Sequence, residues 1–100
     1  MKKRERREKM PKAVYYHIYV VPKEGITTET IQTKIELSLD WFKYDKNLWI
    51  VYSTSDVTKW MTRLKPLVET GGYLFICELN TDNRNGWMNK KFWEWLRKKK

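Results

Sequence analysis

Cysteine and histidine are nearly absent from this chain, with Cys77 and His17 the only representatives. A lone cysteine excludes an internal disulfide, and one Cys with one His falls short of a zinc ligand set. Glycine and proline are also scarce, at four and three residues, so no flexible linker divides the chain and its length suits one domain. No apolar run approaches the roughly twenty residues that cross a bilayer. The opening MKKRERREKM lacks the hydrophobic segment that a secretory signal needs after its basic start. The one glycine pair, in Thr70-Gly71-Gly72-Tyr73, lacks the Gly-Lys-Ser/Thr of a phosphate-binding loop. These absences point to a cytoplasmic protein with no cofactor and no membrane partner.

Aromatic residues are abundant instead. Six Trp and six Tyr bring large buried areas, each with an N–H or O–H that needs a partner. A chain of this size buries about two-thirds of the surface its unfolded form exposes, enough for one core. The formal charge is +9, and it comes from the ends. Lys2, Lys3, Arg4, Arg6, Arg7 and Lys9 outnumber Glu5 and Glu8, while Lys90, Lys91, Arg97, Lys98, Lys99 and Lys100 outnumber Glu94. The stretch between them is balanced. Clustered cations are the footprint of a polyanion binder; they also keep a neutral, aromatic-rich domain in solution.

Residues 1–11 form a basic arm, in which Arg4–Glu8 and Glu5–Lys9 have helix-supporting spacing and Pro11 ends any helix. Val, Tyr and Ile dominate Ala13–Val21, a strand signal. Thr27 or Thr28 caps a helix whose stripe is Ile31, Ile35 and Leu39. Trp41–Tyr44, the turn Asp45-Lys46-Asn47 and Leu48–Ser53 follow as a hairpin. A second helix begins at Ser55 with Val57, Trp60, Met61, Leu64 and Val68 on one stripe, and Pro66 kinks or ends it. Tyr73–Leu79 is a strand. Met88, Phe92, Trp95 and Leu96 make the stripe of a terminal helix, and residues 98–100 form a basic tail.

This order, β-α-β-β-α-β plus a helix, predicts an α+β, ferredoxin-like split βαβ sandwich over residues 12–97, with a C-terminal helix added. Such a sheet carries both crossover helices on one face. Here neither face is polar. Tyr16, Ile18, Val20, Trp49 and Phe75 are assigned to sheet-face or dimer packing. The second face is covered by the terminal helix or by another copy of the chain, with a homodimer favoured.

Strand, helix, WFKYDKNLWIVYSTS, helix, GGYLFICEL and then Gly86-Trp87 with Trp95-Leu96 resemble the SinR-like proteins. These are small prokaryotic proteins related to the second CRISPR-associated protein and to VapD, with ferredoxin-like folds. The resemblance covers about residues 13–97. It implies a first strand ending in Tyr-Asp, whose Asp holds a divalent metal in the nuclease members. Matching IYVVP to that motif puts Tyr19 on the Tyr and Val20 on the Asp. Valine offers no oxygen to a hard cation, and Glu24 or Asp45 are the nearest substitutes. No catalytic residue and no metal ligand are therefore assigned. His17 is expected to bond a tyrosine, Cys77 to be a small buried hydrophobe, and Glu78 to pair with a lysine.

The leading expectation is a non-catalytic protein associated with DNA or RNA without sequence preference. Lys2, Lys3, Arg4, Arg6, Arg7, Lys9, Lys90, Lys91, Arg97, Lys98, Lys99 and Lys100 contact phosphates, and Trp93, off the helical stripe, stacks on a base. The alternative is an adaptor or inhibitor that docks another protein of a defence, counter-defence or toxin–antitoxin system, in a prokaryote or a phage. A metal-dependent endoribonuclease and docking of KKFWEWLRKKK on a membrane surface rank below.

Overall fold

The computed structural model describes residues 12–100. Its elements are β1 (Val14–Val21), α1 (Thr28–Ile35), β2 (Asp40–Asp45), β3 (Leu48–Ser53), α2 (Val57–Val68), β4 (Tyr73–Leu79) and α3 (Lys90–Arg97). The four strands make one sheet in the order β2-β3-β1-β4, with every neighbouring pair antiparallel. The class is α+β, compatible with a ferredoxin-like arrangement. The basic arm lies outside the described residues.

Alternation along β1 divides the sheet into two cores. Tyr16, Ile18 and Val20 point under α1 and α2, where they meet Ile31, Ile35, Trp49, Val51, Trp60, Leu64, Leu67 and Val68. Burying each large apolar side chain contributes roughly 1.5–3 kcal/mol, so this face holds most of the stability. Trp60 is fully buried, and its indole N–H donates to Ser53 Oγ at 3.1 Å. The same oxygen accepts the backbone N–H of Ser55 at 3.0 Å.

Both crossover helices are capped as their sequences dictate, with two shifts. Thr27 Oγ1 accepts the Thr30 N–H and starts α1. The helix stops at Ile35, and Leu39 N–H donates to Tyr52 O at 2.8 Å. Leu39 thus belongs to the approach to β2 and is 65% exposed; pairing with β3 outcompeted the helical stripe. In α2 the cap is Asp56, not Ser55, and its carboxylate accepts the Lys59 N–H at 2.9 Å. The stripe rotates to Trp60, Leu64, Leu67 and Val68, leaving Val57 and Met61 exposed. Pro66 lies within the last turn, where the helix tolerates the missing bond and runs on to Val68. At Gly72 any Cβ would strike the backbone oxygens of Val21 and Val68, so only glycine lets β4 enter beside β1.

The opposite face carries Tyr15, Phe42, Tyr44, Ile50 and Leu79, and α3 lays Phe92, Trp95 and Leu96 on them. The terminal helix of the same chain therefore supplies the cover at this end. Beyond it, Tyr19, Tyr73 and Phe75 remain exposed, and so does Cys77. Tyr16, Ile18, Val20 and Trp49 pack on the helix-covered face of the sheet, one of the two roles expected of them, whereas Phe75, paired with Tyr19, lies on the other face. One expectation is corrected here. Cys77, opposite His17, shares that face and is not buried. The apolar character of β4 hid which of its sides would be covered.

The two sheet edges differ. β2 carries Asp40, Lys43 and Asp45, and its register slips between Lys43 and Asp45. β4 pairs in unbroken register through seven residues, with no Lys, Pro or bulge to guard its free side. Ser53→Ala would strand the Trp60 N–H in the core; urea unfolding should show a loss of about 1–3 kcal/mol, and an unchanged midpoint would remove this bond from the account.

Candidate nucleic-acid interface

Asn89 starts α3 by accepting the Phe92 N–H at 2.9 Å. Helical spacing then turns Phe92, Trp95 and Leu96 inward. The Phe42 ring lies 5.7 Å from that of Phe92 and 5.6 Å from that of Trp95, and Tyr15 meets Trp95 edge-on at 5.8 Å. With the inner face filled, Lys90, Lys91, Glu94 and Arg97 are left in water.

The cations assigned to phosphate contact divide into two groups. Lys90 Nζ lies 3.8 Å from Glu94 Oε2 with both groups exposed, an attraction too weak to hold the lysine. Lys91, Arg97 and Lys99 are exposed and form no ion pair among the described residues. Lys98 instead lies 3.3 Å from Asp40 Oδ2. Lys100 folds back, its Nζ donating to Trp95 O at 2.8 Å and sitting 4.4 Å above the Trp95 ring, with Tyr15 and Tyr52 beside it. Burial lowers the Lys100 ammonium below its ordinary value, with Asp40 opposing. Lys98 and Lys100 thus clamp α3 to the sheet as well as carrying charge.

Trp93 is half-buried and meets Phe92 edge-on at 5.2 Å. Part of its ring is already packed. Trp87, carried by the resemblance only as part of Gly86-Trp87, is fully exposed. The signal that singles it out is a tryptophan in a polar loop with no periodic partner.

The exit of β1 does not suit a metal. Val20 is 1% exposed and points into the core. The crevice beside it, about 310 Å³, is lined by Lys43, Lys46 and Asn47 and by no carboxylate. Glu24 is exposed, and Asp45 accepts the Lys46 N–H at 2.8 Å. Among the described residues no three His, Cys, Asp or Glu side chains cluster. Lysines in place of carboxylates along this crevice make the donor set unfit for a divalent ion.

Of the remaining polar candidates, His17 has the tyrosine partner expected of it, and Glu78 lacks the expected lysine among the described residues. His17 Nε2 and Tyr44 Oη share a hydrogen bond of 2.6 Å. Burial lowers the His17 pKa and raises that of Tyr44, so the imidazole is neutral near pH 7. Glu78 is exposed and has no ion pair among the described residues. No described helix is long and apolar enough to cross a membrane.

Burial alone would raise the Asp40 carboxyl, but the net shift is downward. The Trp41 N–H at 2.9 Å and the Lys98 ammonium stabilise the anion. The buried Trp95 indole adds to this, although its geometry falls short of a hydrogen bond. A depressed folded-state pKa contributes stability that is present above the ordinary value of 3.8 and lost as pH falls through the lower folded value. Asp40→Asn should therefore reduce stability at pH 7 by up to about 1 kcal/mol and flatten the decline below pH 4, as read by thermal unfolding across a pH series. An unaltered acid limb would contradict the clamp.

Comparison of this chain with protein-family models, curated proteins and solved structures returned no match.

Proposed function

We propose that this chain is a non-catalytic, nucleic-acid-associated protein built on a ferredoxin-like, SinR-like domain. The observation that carries the reading is the division of α3. Its apolar stripe is occupied by the sheet, so Lys90, Lys91 and Arg97, with Lys99 just beyond, present a cationic ridge to solvent. A polyanion is the partner such a ridge retains, because each neutralised phosphate releases counterions. Lys2, Lys3, Arg4, Arg6, Arg7 and Lys9 of the basic arm add to the same charge. The strand order β2-β3-β1-β4, with the first and third strands central, supports the ferredoxin-like assignment. The lysines at the exit of β1 favour holding a strand over metal-dependent cleavage of one.

Anisotropy of a labelled oligonucleotide across a salt series tests the reading. Binding should weaken steeply with salt and persist in chelator. Replacing Lys90, Lys91 and Arg97 with Gln together should reduce the log–log salt slope by about three. Affinity indifferent to salt, or to that triple substitution, would overturn it.

A second reading, docking of another protein chain, is favoured by β4. Its unguarded edge runs between exposed Tyr73 and Phe75 on one face and Val57 and Met61 on the other. A homodimer paired through β4 is the simplest form, and an adaptor within a defence system is the wider one. Light scattering should then give twice the chain mass for the native protein and a single chain for Phe75→Lys; a native monomer at high concentration would remove the homodimer.

A further inference from the structure

Trp87 is 99% exposed, more than any other large apolar side chain among the described residues. A tryptophan left in water keeps both faces of its indole free to stack on another planar group. It stands on the loop between β4 and α3, at a cavity of about 400 Å³. That volume falls within the roughly 300–1,000 Å³ typical of sites for small ligands.

The lining has a consistent chemistry. Leu79, Phe92, Trp93 and Leu96 supply apolar and aromatic surface. Asn80, Asn83, Asn85 and Arg84 supply the polar side. Asn80 Oδ1 accepts the Asp82 N–H at 3.1 Å, and Asn85 Oδ1 accepts the Gly86 N–H at 2.8 Å. Those side-chain oxygens shape the loop, and the bonds leave both Nδ2 donor groups unused. Arg84 Nη1 donates to Thr81 O at 3.2 Å, which leaves most of the guanidinium fork to other acceptors. No carboxylate lines the cavity. Lys90 and Lys91 open α3 immediately past the loop.

A flat π-surface, amide and guanidinium donors, and flanking ammonium groups call for a ligand that is planar, rich in acceptors and anionic. A nucleotide has all three properties. A base within a duplex is stacked on its neighbours and cannot reach an aromatic platform without flipping, whereas an unpaired base can. We infer that the loop between β4 and α3 binds an unpaired nucleotide of single-stranded nucleic acid, with Trp87 stacking on the base and Arg84 meeting its phosphate. This rests on the nucleic-acid reading above and adds strand selectivity to it.

The test compares a labelled single-stranded oligonucleotide with a duplex of equal length, at one low salt concentration. Trp87→Ala should weaken single-strand binding about 5- to 150-fold, the range for losing one stacked base, and leave duplex affinity unchanged. Trp87→Phe should retain most of the affinity. Intrinsic tryptophan fluorescence should be quenched by the single strand in the native protein and less so in Trp87→Ala. Because the side chain lies wholly in solvent, the variant should keep the native circular-dichroism spectrum; a collapsed spectrum would itself contradict the exposed placement. Native binding that Trp87→Ala leaves intact, or weakens equally for both strands, would overturn the pocket while the cationic ridge stands. No binding of either probe by the native protein would remove both.

Discussion

The seating of Phe92, Trp95 and Leu96 on Ile50 and Phe42 decides which surfaces of this protein meet solvent. A sheet that is apolar on both faces needs a cover on each. The two crossover helices close one side, over Ile18, Val20, Trp49 and Val51. The terminal helix closes part of the other. In doing so it turns a basic face outward and draws the loop before it across the sheet end, where Trp87 and Arg84 stand. Charge display and cavity are thus by-products of one packing event. The Lys98–Asp40 contact and the seat of Lys100 on Trp95 reinforce it from the far side.

Much of the scaffold was legible in the amino-acid order. The Val, Tyr and Ile of β1, the Thr27 cap, Ile31 and Ile35 in α1, and Phe92, Trp95 and Leu96 in α3 each report a local preference that the tertiary structure also satisfies. β4 was bounded correctly from Tyr73 to Leu79. What could not be read there was its facing. When residues on both sides of a strand are apolar, alternation carries no sign, and only pairing with Tyr19 puts Phe75 outward. The same ambiguity misplaced Cys77. Leu39 and Met61 failed for another reason: strand pairing ends α1 before Leu39, and the buried stripe of α2 falls on Trp60, Leu64, Leu67 and Val68.

The site was less legible than the scaffold. Counting cations found the lysines and arginines but could not tell Lys100, folded onto Trp95, from Lys91, which projects into water. That distinction depends on Asp40 and on two tyrosine rings brought from distant strands, which join Trp95 around the ammonium. Trp87 was visible only by its isolation from any pattern. The cavity beside it joins Ile50 and Leu79 to residues of the loop, a juxtaposition that no spacing rule encodes.

The asymmetry of the sheet borders has a consequence for how chains accumulate. The flank bearing the Lys43–Asp45 irregularity is charged and interrupted, while the flank formed by β4 is continuous. Growth through hydrogen-bonded borders needs two adhesive flanks per molecule, and here one is blunted. Any union through the smooth flank consumes it in both participants, so it closes after a single round with twofold symmetry instead of propagating into a fibre.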